Sequence, residues 1–321
     1  MRFTFLGTSA GTPTASRNVT ALALAVEGKR DWYLFDCGEG TQHRLLKSRY
    51  SSARLKAIFI THVHGDHCYG LPGLIASANM SGRKEPLTIC APDGIEQYVR
   101  NTFAFTDVHN LRFPLHFVRT DDQAFQYDDG QISVQAIAMS HRVPCFAFQV
   151  KEHPVYHLDE SALDALEVPR GPLWGLLQQG ESVSLDDGRL VHAEQVRCAA
   201  WAPRSAIIGG DNDKPDLLLI ALQESDLLVH EATFTEDVLA RVGPQYMHST
   251  AAMVAKTAEN AKLKHLLLTH FSQRYRSGSG AKEYSVNDLY KEAKLYYQGN
   301  LQLAEDLQSY QLEKDKTLTR L

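Results

Sequence analysis

Apolar and polar residues alternate along the first part of the chain in short blocks. Phe3 to Leu6 reads as a strand, and Val19 to Val26 and Trp32 to Phe35 read as two more around Gly28. Leu55 to Ile60 and Pro86 to Cys90 are further short apolar runs. Helix-type spacing is predicted for Thr41 to Ser48, for Leu71 to Met80 with Pro72 in the first turn, and for Gly94 to Asn101. Ile132, Val134, Ala136 and Ala138 mark one face of a half-buried strand. Phe146 to Val150, Ser205 to Ile208, Asp226 to Val229 and His265 to Thr269 complete the strands. Ser249 is the expected N-cap of a helix reaching about Asn260, and Val286 to Tyr297 is helix-like. The residues from Glu313 onward are charged and are expected to fray. Strands and helices mixed in this way predict an α/β fold.

One stretch breaks the pattern. Residues 153–200 are less core-like, with Pro169-Arg170-Gly171-Pro172 separating two helix-like pieces and Asp186-Asp187-Gly188 marking a turn. We expect an arm inserted into a single domain over 1–321, not a domain of its own. No internal repeat or low-complexity segment interrupts the rest.

The chain has 321 residues and is 44% hydrophobic, enough for a sizeable core. Lys and Arg number 33 against 38 Asp and Glu, a formal charge of −5 that two divalent ions would bring to −1. That balance leaves a nucleic-acid substrate open and requires any basic patch to be local. The five cysteines are odd in number and form no C-x-x-C pair, which argues against a disulfide framework or a zinc knuckle. With no signal-peptide pattern in Met1 to Gly7 and no run of about 18 apolar residues, a cytoplasmic protein without a membrane span is expected.

The chemistry concentrates in Thr61-His62-Val63-His64-Gly65-Asp66-His67. His62 and His64 lie two apart on extended chain, so their imidazoles point the same way, and Gly65 lets the chain turn to present Asp66 and His67. A lone His is more often packed than ligating; four ligand-type residues at one strand-to-turn junction predict a zinc-like ion. His62, His141, Asp211, His230 and His270 each follow a predicted strand, which suggests one shared rim. By spacing, His62, His64 and His141 assemble around one ion, Asp66, His67 and His270 around a second, and Asp211 bridges them. Two ions so placed act on both the attacking and leaving oxygens of a phosphoryl centre. His230 is expected to be structural, under the rim. Glu231 and His248 are not needed as ligands and are free to protonate a leaving alkoxide. Arg274, Arg276 and Lys282 follow the last ligand, and Arg17 and Arg142 are candidates to face the rim. There they would contact the phosphates of a polyanion, with Tyr275 stacking on a base.

The His-x-His-x-Asp-His run with His141, Asp211 and His270 downstream resembles the metallo-β-lactamase superfamily. The resemblance implies an αββα sandwich, two packed mixed β-sheets with helices on the outer faces and metals at one edge. Phe5 to Gly11 with Arg17-Asn18, Phe35 to Gln42, Gly70-Leu71-Pro72-Gly73-Leu74, His230-Glu231-Ala232-Thr233 and His248-Ser249-Thr250 further resemble the ribonuclease Z family in its short form. The family pattern is departed from at Asn212, where a Thr is expected, and at Met247, where Gly is common. This resemblance implies a zinc-dependent endoribonuclease, a homodimer, that removes the 3′ trailer from precursor tRNA, with two zinc ions per subunit, manganese or cobalt also fitting. It gives Asp66 the attacking water and His248, with Glu231, the leaving 3′-oxygen. It makes the arm around Gly171-Pro172 an exosite gripping tRNA from the opposite subunit, although the stretch is acidic here. The alternative reading is another hydrolase of this superfamily, acting on a small phosphodiester, thioester or lactone.

Overall fold

The computed structural model describes residues 1–275 and 284–321. Contacts divide the chain into two compact units, Met1–Lys151 with Arg204–Leu321, and Glu152–Pro203.

The first unit holds two mixed sheets. In chain order, the strands of the first are β1 (Arg2–Gly7), β2 (Ala21–Ala25), β3 (Trp32–Phe35), β4 (Leu55–Phe59), β5 (Leu87–Ala91) and β6 (Leu115–Arg119). The second begins with β7 (Gln126–Asp128), β8 (Ile132–Met139) and β9 (Cys145–Glu152). The second unit carries four short strands, β10 (Tyr156–Leu158), β11 (Val183–Ser184), β12 (Leu190–Val191) and β13 (Arg197–Ala199). The chain then returns with β14 (Ser205–Ile208), β15 (Leu227–Glu231), β16 (His265–Thr269), β17 (Asn300–Leu303), β18 (Ser309–Leu312) and β19 (Leu318–Arg320). Spatial order is β19-β18-β1-β2-β3-β4-β5-β6 in one sheet and β17-β16-β15-β14-β9-β8-β7 in the other.

Side-chain alternation explains the layering. In β4, Ala57 and Phe59 point to the core between the sheets, beside Phe3, Phe5, Phe148 and Val229. Ile58 points the other way and packs under the helices Leu71–Met80 and Ile95–Phe105 with Leu71, Ile75 and Val99. In β16, Leu267 faces inward while Leu266 and Leu268 pack under the helices Ala251–Asn260 and Val286–Lys294. This is the αββα sandwich. Truncating Phe59, fully buried and stacked on Phe35 at 4.9 Å, would cost roughly 3–5 kcal/mol.

Three expectations need correction. The end of the chain is ordered: Tyr310 and Leu312 of β18 are buried, β18 pairs with β1, and β19 pairs with β18. The charged turn Glu313–Lys316 between them masked two strands. The helix from Ala251 is capped by Thr250, whose side chain accepts from Met253 N–H, while Ser249 Oγ donates to the Asn212 carbonyl. His230 and Glu231 are the last residues of β15, not residues beyond it.

The second unit has its own small core, in which Leu163, Leu177, Val183, Val191, Ala193 and Val196 are buried. In sequence it interrupts a hairpin: β9 and β14 are antiparallel neighbours, and Lys151 faces Ser205.

Candidate active site

The carboxyl ends of β3, β4, β8, β14, β15 and β16 lead into the residues of one rim. After β4 the chain stays extended through His62 and His64, then makes one helical turn, Gly65–Cys68, that lifts Asp66 and His67 to the same point. Gly38 lies behind this turn. A β-carbon there would sit 2.3 Å from the Asp66 carbonyl oxygen, so glycine alone permits the approach. From the loop after β1, Gly11, at φ 69°, donates its N–H to Asp66 Oδ2 at 2.7 Å. A left-handed backbone at Gly11 is open to glycine without strain.

Two donor clusters result. His64 Nδ1 is 3.0 Å from His62 Nε2 and 3.3 Å from His141 Nε2. Beside them His67 Nε2 and His270 Nε2 are 3.3 Å apart, and Asp66 Oδ2 is 3.5 and 3.4 Å from them. Asp211 reaches both clusters, with Oδ2 3.7 Å from His62 Nε2 and 3.4 Å from His67 Nε2, and Oδ1 3.4 Å from His270 Nε2. Ligands around a tetrahedral ion with bonds of about 2.0–2.1 Å lie about 3.3 Å from one another. The donor set therefore fits a divalent cation. Glu231, His248 and His270 also converge, sharing His270 with the second cluster.

The far side of four of the rings, those of His62, His67, His141 and His270, is held as well. His67 Nδ1–H donates to Asp36 Oδ2 at 2.7 Å. Thr61 Oγ1 accepts from His62 Nδ1 at 2.9 Å and donates to Asp36, and Thr61 N–H donates to Asp36 at 2.8 Å. Thr233 repeats the device: Oγ1 accepts from His270 Nδ1 at 3.0 Å and donates to Glu231. His141 Nδ1–H donates to the Met247 carbonyl at 3.0 Å, aimed by a backbone φ of 53°. These bonds place a ring proton at Nδ1 and turn Nε2 of His62, His67, His141 and His270 toward the site.

Charge completes the picture. Burial holds His62, His64 and His141 below the ordinary imidazole range, which favours their neutral form. Burial also opposes charge on His67, but Asp211, Asp66 and Asp36 outweigh it and push that ring well up. Burial would raise Asp66 and Asp211, yet the surrounding histidines hold both well below the usual carboxylate range. A divalent cation would displace the proton that these acids otherwise keep on His67.

Glu231, 1% exposed, accepts from the N–H groups of Asn212 at 2.9 Å, Ser249 at 3.2 Å and Thr233 at 3.2 Å, and from His248 Nδ1 at 3.0 Å. Despite burial it is held ionised by His248, and in return His248, against its own burial, is raised to about 9 by Glu231. With Nδ1 engaged, Nε2 is the protonated atom left to His248, which lines a cavity of about 560 Å³ with Thr12, Phe234, Tyr246 and Arg274. His230 lies beneath the rim, fully buried, with Nδ1–H donating to the Glu231 carbonyl and Nε2 accepting from Asn212. Asn212, where the family pattern has Thr, thus anchors the histidine under the site.

The rim brings together His62, His64, Asp66, His67, His141, Asp211, His270, Glu231 and His248. Arg274 is exposed beside His248. Arg17 is different: it is 6% exposed, and its guanidinium donates to the carbonyls of Ser272 and Tyr275, so it braces the loop that follows His270 and is not open to substrate. Tyr275 is also buried, its hydroxyl bonded to Thr235, and offers no stacking face. Arg142 is exposed, 5.8 Å from the Tyr246 ring. Gly171 and Pro172 open the helix Pro172–Gln179 of the second unit and are exposed. Arg276 and Lys282 lie outside the described residues. Asp36, Thr61, Thr233, Met247 and Gly11 were missed. Asp36 gave a usable signal, an acid directly after a strand, at the same address as the ligands.

Comparison with known proteins gives concordant results. A family model described as "Beta-lactamase superfamily domain" matches residues 31–162. Ribonuclease Z of Marinobacter nauticus is 48% identical over 322 positions, spanning 100% of this chain and 99% of its own. Ribonuclease Z of Prochlorococcus marinus is 38% identical, spanning 97% and 98%. Among solved structures, human tRNase Z, short form, aligns with a TM-score of 0.64 at 28% identity over 96% of this chain and 98% of its own. With full-length identity of this order and a rim of metal-ligating type, the chain belongs to the ribonuclease Z family, metal-dependent endoribonucleases of the β-lactamase superfamily.

Proposed function

We propose that this enzyme removes the 3′ trailer from precursor tRNA with two zinc ions per subunit. The observation that carries the reading is the presence, on one rim, of two donor clusters joined by Asp211 and a buried Glu231–His248 couple. His62, His64 and His141 would hold one ion and Asp66, His67 and His270 the other, with Asp211 in reach of both donor groups. When bound, such ions supply Lewis acidity at the attacking and leaving oxygens, and manganese or cobalt suits the same donors.

The chain's own residues do the rest. Asp66, fixed by the Gly11 N–H, orients the attacking water. His248 gives its Nε2 proton to the departing 3′-oxygen while Glu231 keeps the ring charged and aligned. The water oxygen bonds to phosphorus and gives its proton to Asp66 as the P–O3′ bond breaks, leaving a 3′-hydroxyl on the tRNA and a 5′-phosphate on the trailer. The cavity of about 560 Å³ beside His248 offers the exposed Tyr246 to a base and Arg274 to a phosphate. The enzyme works in the cytoplasm as a homodimer, and the arm bearing Gly171 and Pro172 grips the tRNA body from the opposite subunit. Among the described residues no helix is long and apolar enough to cross a membrane.

The test is a precursor-tRNA transcript with a 3′ trailer, assayed with and without a chelator, with both product ends mapped. A metal-dependent cut after the discriminator nucleotide is expected. Turnover of a small phosphodiester with no cut in the transcript would overturn the substrate assignment.

A further inference from the structure

At the other end of the first sheet lies a cavity that the chemistry above does not use. It has a volume of about 470 Å³ and is lined by the β2–β3 turn, the segment before β4, and the paired residues Arg2 and Gln311. Trp32, which lines it, and Leu55, which follows the lining residue Arg54, open the parallel strands β3 and β4, whose far ends lead to Asp36 and His62. Strands of this length separate the two ends by about 15 Å.

Five cationic side chains surround this cavity: Arg2, Lys29, Arg30, Arg49 and Arg54. Two carboxylates answer them, and one of these, Glu27, lies 3.6 Å from the buried Arg204 guanidinium. Lys29, Arg30, Arg49 and Arg54 take part in no ion pair among the described residues. The concentration of positive charge runs against the formal −5 of the whole chain. Like charges gathered around one concavity repel one another, and a multivalent anion relieves that repulsion. Four of the cations come from two short segments and Arg2 from β1, and all five border one concavity, where a polynucleotide track would string them along a groove. The cavity has the size of a small ligand.

We infer that Arg2, Lys29, Arg30, Arg49 and Arg54 form a binding site for a small oligophosphate, free or as the phosphate chain of a nucleotide, at the edge of the sheet remote from the metal rim. The shared chemistry is two or more linked phosphates, each offering oxygens to forked guanidinium donors.

The test is calorimetric titration of the full-length, metal-loaded protein with inorganic pyrophosphate, with ATP and with a mature tRNA transcript. Pyrophosphate and ATP should each bind saturably, and more weakly as salt is raised. Tighter binding of ATP would assign the site to a nucleotide, equal binding to the oligophosphate alone. The exposed pair Arg49→Ala/Arg54→Ala should weaken both ligands at least tenfold and leave precursor-tRNA cleavage unchanged; Lys29→Ala/Arg30→Ala serves as an independent second pair. Asp66→Ala should leave both affinities unchanged, because that substitution touches only the metal rim. Absence of saturable binding, or binding lost in Asp66→Ala but kept in the arginine pair, would overturn the proposal. So would weaker tRNA binding in the arginine pair without any small-phosphate binding, which would make the cavity an RNA surface. None of these outcomes depends on which RNA the rim cleaves.

Discussion

The metal rim and the inserted unit Glu152–Pro203 are built on opposite principles. Around the rim nearly every polar atom has a named partner: Asp36 serves His67 and Thr61, and Glu231 serves His248, Thr233 and two further backbone N–H groups. Most of these groups are buried, where an unmet hydrogen bond is costly, so each partner fixes the next. The inserted unit rests on a small core, and its ion pairs, such as Arg170–Glu160 and Arg189–Glu167, are solvent-exposed and contribute little. Chemistry is over-determined by its surroundings, whereas the surface that would hold a large substrate is lightly constrained. Changes at the rim should therefore act on any substrate, and changes in the insertion only on a large one.

The sharpest way to break that contrast is Asp66→Ala, which removes a proposed ligand and the water's partner together. Cleavage of precursor tRNA and of bis-nitrophenyl phosphate should both fall by more than the loss in His248→Ala, itself about 10²- to 10⁴-fold on tRNA. Single-turnover rates at saturating metal measure this; equal residual rates in the two variants would show that Asp66 does not handle the water. Asp36→Asn tests the over-determination itself. It leaves every proposed ligand in place but weakens the grip on His67 and Thr61, so metal affinity should drop roughly 10- to 100-fold, read by competition with a chromogenic chelator. An unchanged affinity would make Asp36 a folding residue only.

Glu231→Gln has a smaller and pH-dependent effect. His248 acts in its protonated form, and Glu231 raises its pKa to about 9. Without that carboxylate the pKa falls toward the ordinary imidazole range, so the rate should drop more at pH 8 than at pH 6. A pH profile of kcat that keeps its alkaline limb in place would remove His248 from the role of acid. The smallest effect is expected from the largest change. Lys151 faces Ser205 across an antiparallel pair, so Glu152–Pro203 can be replaced by a short Asn-Gly turn. Hydrolysis of bis-nitrophenyl phosphate should be unaltered while KM for precursor tRNA rises. Parallel loss of both would mean that the insertion supports the fold of the site.

The same contrast explains what could be read in advance. His62, His64, Asp66 and His67 are adjacent in sequence, and His141, Asp211 and His270 follow recognisable strands, so the donor set was legible as positions. The partners were not, because a Thr or Asp bonded to the back of a histidine has no spacing rule. Arg17 was misread because a charged residue near a rim is ordinarily exposed. Here the two carbonyls it caps, those of Ser272 and Tyr275, make its burial tolerable. Strands β18 and β19 were hidden by the charged turn between them, although Tyr310, Leu312 and Leu318 are buried.

The rim draws its donors from both ends of the chain, and Asp66 and His270 are 204 residues apart. A ribosome adding about 5–20 residues per second needs about 10 s or more to pass from one to the other. During that interval the group of Asp66, His67 and Asp211 lacks His270, so the rim can be completed only after most of the chain has been made.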